Sequence, residues 1–428
     1  MSAIQSSPAP IRKVGEGEKH YFFGYYNKSN WDRSGEKILA QAVPWANNDL
    51  SATNVAQVGY FDLMDGDRFH AIGETTAWNW QMGSQLQWLP GLPGKKVIYN
   101  IRDANSQGQY PGFAARIVDI VTGDEQTLPD PVYSVAPDSS FAICVDYRRF
   151  NLTHPTIGYH EGPAPTDLPL APDDDGIFHM TLPGGVMKLV LSLQELRNFQ
   201  PVASMEGAVH WVTHLEINGA SDLVLFIHRW TRRVEDETCF LHRLFSMAPD
   251  GSELTLLECT DHPIPHLDQD HDPDRLDTFD YEKSEYQISH PIWRDDRHIM
   301  VWGPNAGEIH YQLYNVDTGQ AQAVGTDVLT ENGHMTYSPD GKWMVSDTYP
   351  NKKTNIRMLF LYHLESGKRY DVAALATDPD LGKENRCDLH PRWHPDGTAV
   401  CIDSIHEGER QLYIVDVSAL TGAEFRNI

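Results

Sequence analysis

The chain is predicted to fold as an all-β, seven-bladed β-propeller in a single domain. Three observations lead there: a repeated inner turn, a repeated outer hairpin, and the strict alternation of the two. The inner turn follows an apolar or aromatic strand end at Trp31, Trp88, Val135, Ile217, Trp293, Tyr337 and Trp393, and is built from Pro, Asp, Asn, Ser and Gly. The outer hairpins fall at 60–67, 117–124, 180–185, 247–252, 314–320, 362–368 and 415–422, each carrying turn residues between apolar strands. Seven of each imply seven four-stranded units, and a propeller leaves these units only short, protected edges.

Taken in order, residues 1–18 read as an N-terminal extension and 19–428 as the propeller. Whether the residues before Lys19 pair with 423–428 to close the ring is left open. Each inner turn leads into a strand such as 342–347 or 399–403. Helical periodicity is scarce, and 191–199 is the best short helix candidate. Two gaps between blades are long. One contains 151–175, rich in Pro, Asp and Gly; the other contains 261–281, dense in Asp, His and Pro. Loops of that length line a site or lack order. The histidines of the second loop (His262, His266, His271) have no fixed scaffold and read as solvated.

Composition narrows the function classes. A formal charge of −26 over 428 residues argues against nucleic acid as a partner, because nothing offsets phosphate repulsion, and leaves an acidic polymer only a locally basic pocket to bind. Five cysteines (Cys144, Cys239, Cys259, Cys387, Cys401) without CxxC spacing read as reduced, buried thiols. The N-terminus has no basic region followed by an apolar run, and no stretch approaches the ~18 apolar residues of a membrane span. A cytoplasmic protein with no membrane contact is expected; the oligomeric state is unreadable.

Histidine makes up 20 of 428 residues, yet it fills the position three before the inner turn in four consecutive repeats: His214, His290, His334 and His390. Lys28, Gln85 and Val132 stand there in the other three. Equivalent positions of repeats around an axis come together, so one histidine cluster is expected. Imidazoles in such a cluster suit a divalent metal or proton transfer near neutral pH. Asp388 lies two residues before His390 on the same strand face, with Asn385 close by. His334, His390, Asp388 and Asn385 would suit Mn2+, with Zn2+ or Ca2+ as alternatives. A cationic run, His228-Arg229-Trp230 with Arg232, Arg233 and Arg243, stands out in so acidic a chain as a candidate carboxylate pocket.

The order of these elements resembles the oligogalacturonate lyases, seven-bladed propellers that cleave short pectin fragments by β-elimination. The resemblance runs from Tyr25-Tyr26-Asn27-Lys28 to the last blade. Its best segments are Thr213-His214-Leu215, Phe226-Ile227-His228, Arg243-Leu244-Phe245, Ser289-His290-Pro291-Ile292-Trp293, Gly333-His334 and 385–397. It implies that His290 is the base, that Arg243 steadies the substrate carboxylate, and that His334 and His390 bind metal. Asp388 replaces a third metal histidine of the family and Asn385 a glutamine; both can still coordinate. An acidic oligosaccharide is the implied substrate, with His214, His228 and Arg229 among the residues that bind it. Tyr281, Tyr286 and Tyr349 are candidates to protonate the leaving oxygen. Two rival readings are a glycoside hydrolase using carboxylates such as Asp388 and Asp347, and a propeller that only binds a partner.

Overall fold

The computed structural model describes residues 3–45, 50–160, 168–232, 234, 240–259, 288–305 and 308–422. Its strands form seven sheets, the blades of a seven-bladed β-propeller. Five blades are meanders of four consecutive antiparallel strands. They run from His20–Phe22 to Arg68–Thr75, Gln87–Trp88 to Glu125–Leu128, Ser134–Val135 to Met187–Ser192, Val209–Ile217 to Thr255–Cys259, and Ser289–Asp295 to Ala321–Val324. Blade six runs from Met335–Tyr337 to Lys368–Ala376.

Blade seven departs from the expected pattern. Arg392–Trp393, Ala399–Ser404 and Gln411–Asp416 supply three strands, and the outer fourth is Ile11–Lys13, antiparallel to Gln411–Asp416. The segment 415–422, expected as a seventh hairpin, instead enters a short helix, Ser418–Thr421. Ile4–Ser6 adds a fifth, parallel strand to blade six. Two short strands of the N-terminal extension therefore contribute to two sheets. The pairing considered for 423–428 lies outside the described residues.

The repeated turn residues have identifiable work. Asp340 Oδ1 accepts from Ser338 Oγ and the Lys342 N–H, and Asp396 Oδ1 from Thr398 in the same way. Each Pro-Asp-Gly turn is thus closed by its own carboxylate, an Asx-type device. The tryptophans at inner strand ends strap one blade to the next. Trp31 Nε1 donates to Arg392 O at 3.2 Å, Trp88 to Asn30 O at 3.0 Å, Trp293 to Glu216 O at 3.1 Å, and Trp393 to Thr336 O at 3.2 Å.

Apolar side chains from neighbouring blades form the core. Val345, Leu359 and Leu361 of blade six pack with Trp393, Val400 and Ile402 of blade seven. Leu225, Ile227 and Leu244 of blade four meet Trp293, Ile299 and Val301 of blade five. Strands buried on both faces have no solvent-facing side, as Val224–Thr231 illustrates, where even His228 and Arg229 are buried. The expected helix is present as α1, Leu193–Asn198, started by a capping box of Ser192 and Glu195.

Contacts gather the chain into two compact units, Met1–Trp88 with Gly325–Ile428, and Leu89–Val324. Cys144, Cys259, Cys387 and Cys401 are free thiols. Among the described residues no helix is long and apolar enough to cross a membrane.

Candidate functional site

The repeat position singled out in the sequence has a backbone signature. Gln85, His214, His290 and His390 adopt left-handed φ values of 56°, 56°, 53° and 44°. Sheet pairing skips register beside two of them, between Thr213 and Glu216 and between Ser289 and Ile292. Left-handed backbone costs a residue with a Cβ roughly 1–2 kcal/mol, and such strain concentrates where a side chain must be aimed. His334 reaches its place by another route. Gly333 lies so close to Asp347 that an added Cβ would sit 1.8 Å from the Asp347 carbonyl oxygen.

Asp347 organises the histidine pair in the first unit. It closes the strand Trp343–Asp347 and is 0% exposed. Its Oδ1 takes the His334 N–H at 2.7 Å and faces His334 Nδ1 at 2.9 Å. Its Oδ2 takes the N–H groups of Leu389 and His390 at 3.1 and 3.2 Å. A carboxylate at Nδ1 fixes the ring orientation and the tautomer in which Nε2 is the ligating nitrogen. His390 stands edge-on to His334, ring centroids 4.3 Å apart, and its Nε2 is buried without a hydrogen-bond partner. Burial, then the neighbouring His334, holds the His390 imidazole well below its usual pKa, so it is neutral.

Asp388 is the third member. Its Oδ2 lies 4.0 Å from His390 Nε2. Arg357 Nη1 donates to Oδ1 at 2.8 Å, and Arg386 Nη2 lies 2.7 Å from Oδ2. Burial would raise this carboxyl, but the two guanidinium groups hold it well below the usual range. The donor atoms of His334, Asp388 and His390 lie within 4.8 Å of one another. Two imidazoles and one carboxylate, with the His390 Nε2 unpartnered among the described residues, fit a divalent ion of intermediate hardness. The Asn385 side-chain oxygen is also buried without a partner, while its main-chain oxygen accepts from Arg410.

Tyrosines surround the pair. The Tyr25 ring lies 5.1 Å from His390, and the Tyr26 ring 5.4 Å from His334. Tyr349 stands 5.7 Å from His334 beneath the Arg386 guanidinium, and burial pushes its phenol up to about 12. Tyr281, Tyr286, Arg233 and the loop 261–281 lie outside the described residues.

The second unit carries His214, His228, Arg229, Arg243 and His290. His214 and His290 are buried, 8% and 5% exposed. The His214 N–H donates to Tyr133 Oη at 3.0 Å. His228 is fully buried between two partners: His210 Nδ1 lies 2.8 Å from its Nε2, and Arg243 Nε donates to its Nδ1 at 3.1 Å. Burial, with His210 and Arg243 alongside, holds His228 well below the usual imidazole value. Arg229 lies over the Phe240 ring, with its Nη1 3.0 Å from His154 Nδ1.

Arg243 has partners that a carboxylate clamp would not need. Nη1 donates to Phe199 O and Gln200 O, and Nη2 to Leu196 O at 2.6 Å. It thus ties down the C-terminal end of α1 and the two residues that follow it, where carbonyls run out of helical partners. Burial brings this guanidinium down to about 10. To receive a carboxylate, Arg243 would have to surrender part of this set.

Arg357 and Arg386 were not foreseen in the sequence. Arg386 precedes Asp388 by two residues, the same-face spacing that could have signalled the pair. Arg357 belongs to another strand, and only folding brings it there. These contacts also weigh against the hydrolase. Asp388 is held ionised by two arginines and so is not poised as an acid, and the Asp347 oxygens are taken up by imidazole and main-chain N–H groups.

Comparison with known proteins bears on the fold. No family model matches the chain, and no curated protein matches it in sequence. Among solved structures it is similar to an oligogalacturonate lyase in complex with manganese, at TM-score 0.62 and 14% identity, covering 96% of this chain and 94% of that one. A second similar structure is an oligogalacturonate lyase from Vibrio parahaemolyticus, at TM-score 0.59 and 13% identity, again covering 96% and 94%. At such identities the likeness establishes the architecture: this chain is a seven-bladed β-propeller of the form those lyases adopt.

Proposed function

We propose that the protein is a cytoplasmic lyase that cleaves short uronate-containing oligosaccharides by metal-assisted β-elimination. The observation that carries this reading is the buried trio of His334, Asp388 and His390, oriented by Asp347, on a propeller like that of oligogalacturonate lyases. Two of the three, His334 and His390, are held by one carboxylate, which also takes the Leu389 N–H; that is more organisation than a partner-binding face requires.

In the proposed reaction His290 takes the proton from C5 of the uronate. The C5–H electron pair becomes the C4–C5 double bond, the C4–O bond breaks, and the leaving oxygen acquires a proton. Histidine suits the first task because its unperturbed pKa lies near neutral pH. Tyr349 remains the described candidate for the last. A Mn2+ ion held by His334, Asp388 and His390, with Asn385 as a further oxygen donor, would supply positive charge to the uronate carboxylate as the enolate develops. Arg243 would reinforce that charge by yielding a helix-end carbonyl, and His214, His228 and Arg229 would line the substrate. Replacing His290 by Ala should reduce turnover by at least about 100-fold, the usual range for a lost general base, with an unchanged circular dichroism spectrum. A variant that retains wild-type turnover would remove His290 from the mechanism.

A further inference from the structure

The turn 79–85 in the first unit holds an unusual set of bare polar groups. Trp80 Nε1, Ser84 Oγ and Gln85 Oε1 are all buried with no hydrogen-bond partner among the described residues. Their residues are 2%, 0% and 1% exposed. Buried polar atoms are nearly always paired, so three within six residues require an explanation such as a polar ligand or water.

The turn is also tied to both sides of the histidine pair. Gln41 bridges it to the segment before Tyr25-Tyr26: its Nε2 donates to Phe23 O at 2.8 Å, and its Oε1 accepts from the Ser84 N–H at 2.8 Å. Gly24 lies against it so closely that an added Cβ would sit 2.7 Å from the Met82 carbonyl carbon. On the other side Gln81 Nε2 donates to Glu384 O at 3.3 Å and Arg386 O at 3.0 Å, two residues before Asp388.

Gln85 occupies the repeat position that His214, His290 and His390 fill in other blades, and it shares their left-handed backbone. It therefore combines two costs, a strained φ that a glycine would avoid and a desolvated amide oxygen that an apolar residue would avoid. Among the described residues its Nε2 has the Met82 sulfur alone, at 3.9 Å. A primary amide with one oxygen and weakly engaged N–H groups matches a hydroxyl, which both donates and accepts.

We propose that Gln85 is a sugar-reading residue, whose amide oxygen accepts a hydrogen bond from a ring hydroxyl of an oligosaccharide bound beside His334 and His390. The inference rests on the lyase reading above and adds a specificity determinant to it.

The test is steady-state kinetics and thermal unfolding of the full chain carrying Gln85→Leu, with trigalacturonate as the probe. The expected result is a KM raised about tenfold, the effect of one lost substrate hydrogen bond, a smaller fall in kcat, and a Tm at or above wild type because a bare oxygen has been removed. A KM within twofold of wild type, or a Tm several degrees lower, would overturn the assignment. Should Gln85→Leu fail to fold, Gln85→Asn tolerates the left-handed backbone and must show the same rise in KM. A wild-type protein that cleaves no uronate oligosaccharide would overturn the lyase reading itself. The Tm comparison still judges Gln85 in that case.

Discussion

Asp347 is the residue on which the histidine pair depends. One carboxylate orients the His334 ring and fixes the main chain at His334, Leu389 and His390. Partners of this kind behind metal-ligating histidines are worth 10–100-fold in affinity. Asp347→Asn preserves shape but loses the charge that sets the His334 tautomer. Titration of Mn2+ into chelator-treated protein should therefore show an affinity lower by about that factor; an affinity within twofold of wild type would free Asp347 of the role. The sequence exposed His334, His390 and Asp388 because they sit at fixed offsets from the repeated turn. It did not expose the task of Asp347, since nothing local separates a strand-end aspartate that orients a ring from one that faces water. Arg357 was hidden for the same reason, its contact with Asp388 being made across strands.

At the scale of elements, the strongest local signals were those with a mechanism confined to a few residues. The capping box of Ser192 and Glu195 starts α1 where helical periodicity placed it, and Pro-Asp-Gly turns close where they were expected. The end of α1 is a long-range matter, since Arg243 arrives from the strand Leu241–Met247 to meet its last carbonyls. This contact separates two roles for the same side chain. If Arg243 chiefly closes the helix, Arg243→Ala should lower unfolding free energy by roughly 2–4 kcal/mol, a few charge-assisted hydrogen bonds that do not add fully. Urea denaturation reads the loss. Unchanged stability together with a raised KM would instead mark it as a carboxylate clamp.

Across the whole molecule, the count of blades was legible because the same turn and hairpin chemistry recurs at intervals, and tryptophans at inner strand ends strap neighbouring blades. The origin of the last outer strand was not legible. Ile11–Lys13 pairs with Gln411–Asp416 across nearly the full length of the chain, and a three-residue strand carries too little periodicity to announce a partner. His334 and His390 stand edge-on to one another within the first compact unit, as their shared repeat position led one to expect, and His214 and His290 belong to the second unit.

The central claim, elimination at a uronate by a metal-dependent site, is tested most directly by ultraviolet absorbance of the C4–C5 double bond. The measurement uses a panel of uronate oligosaccharides with and without chelator. The account predicts a rise on at least one substrate that chelator abolishes and added Mn2+ restores. A flat trace accompanied by new reducing ends would show hydrolysis instead and contradict it.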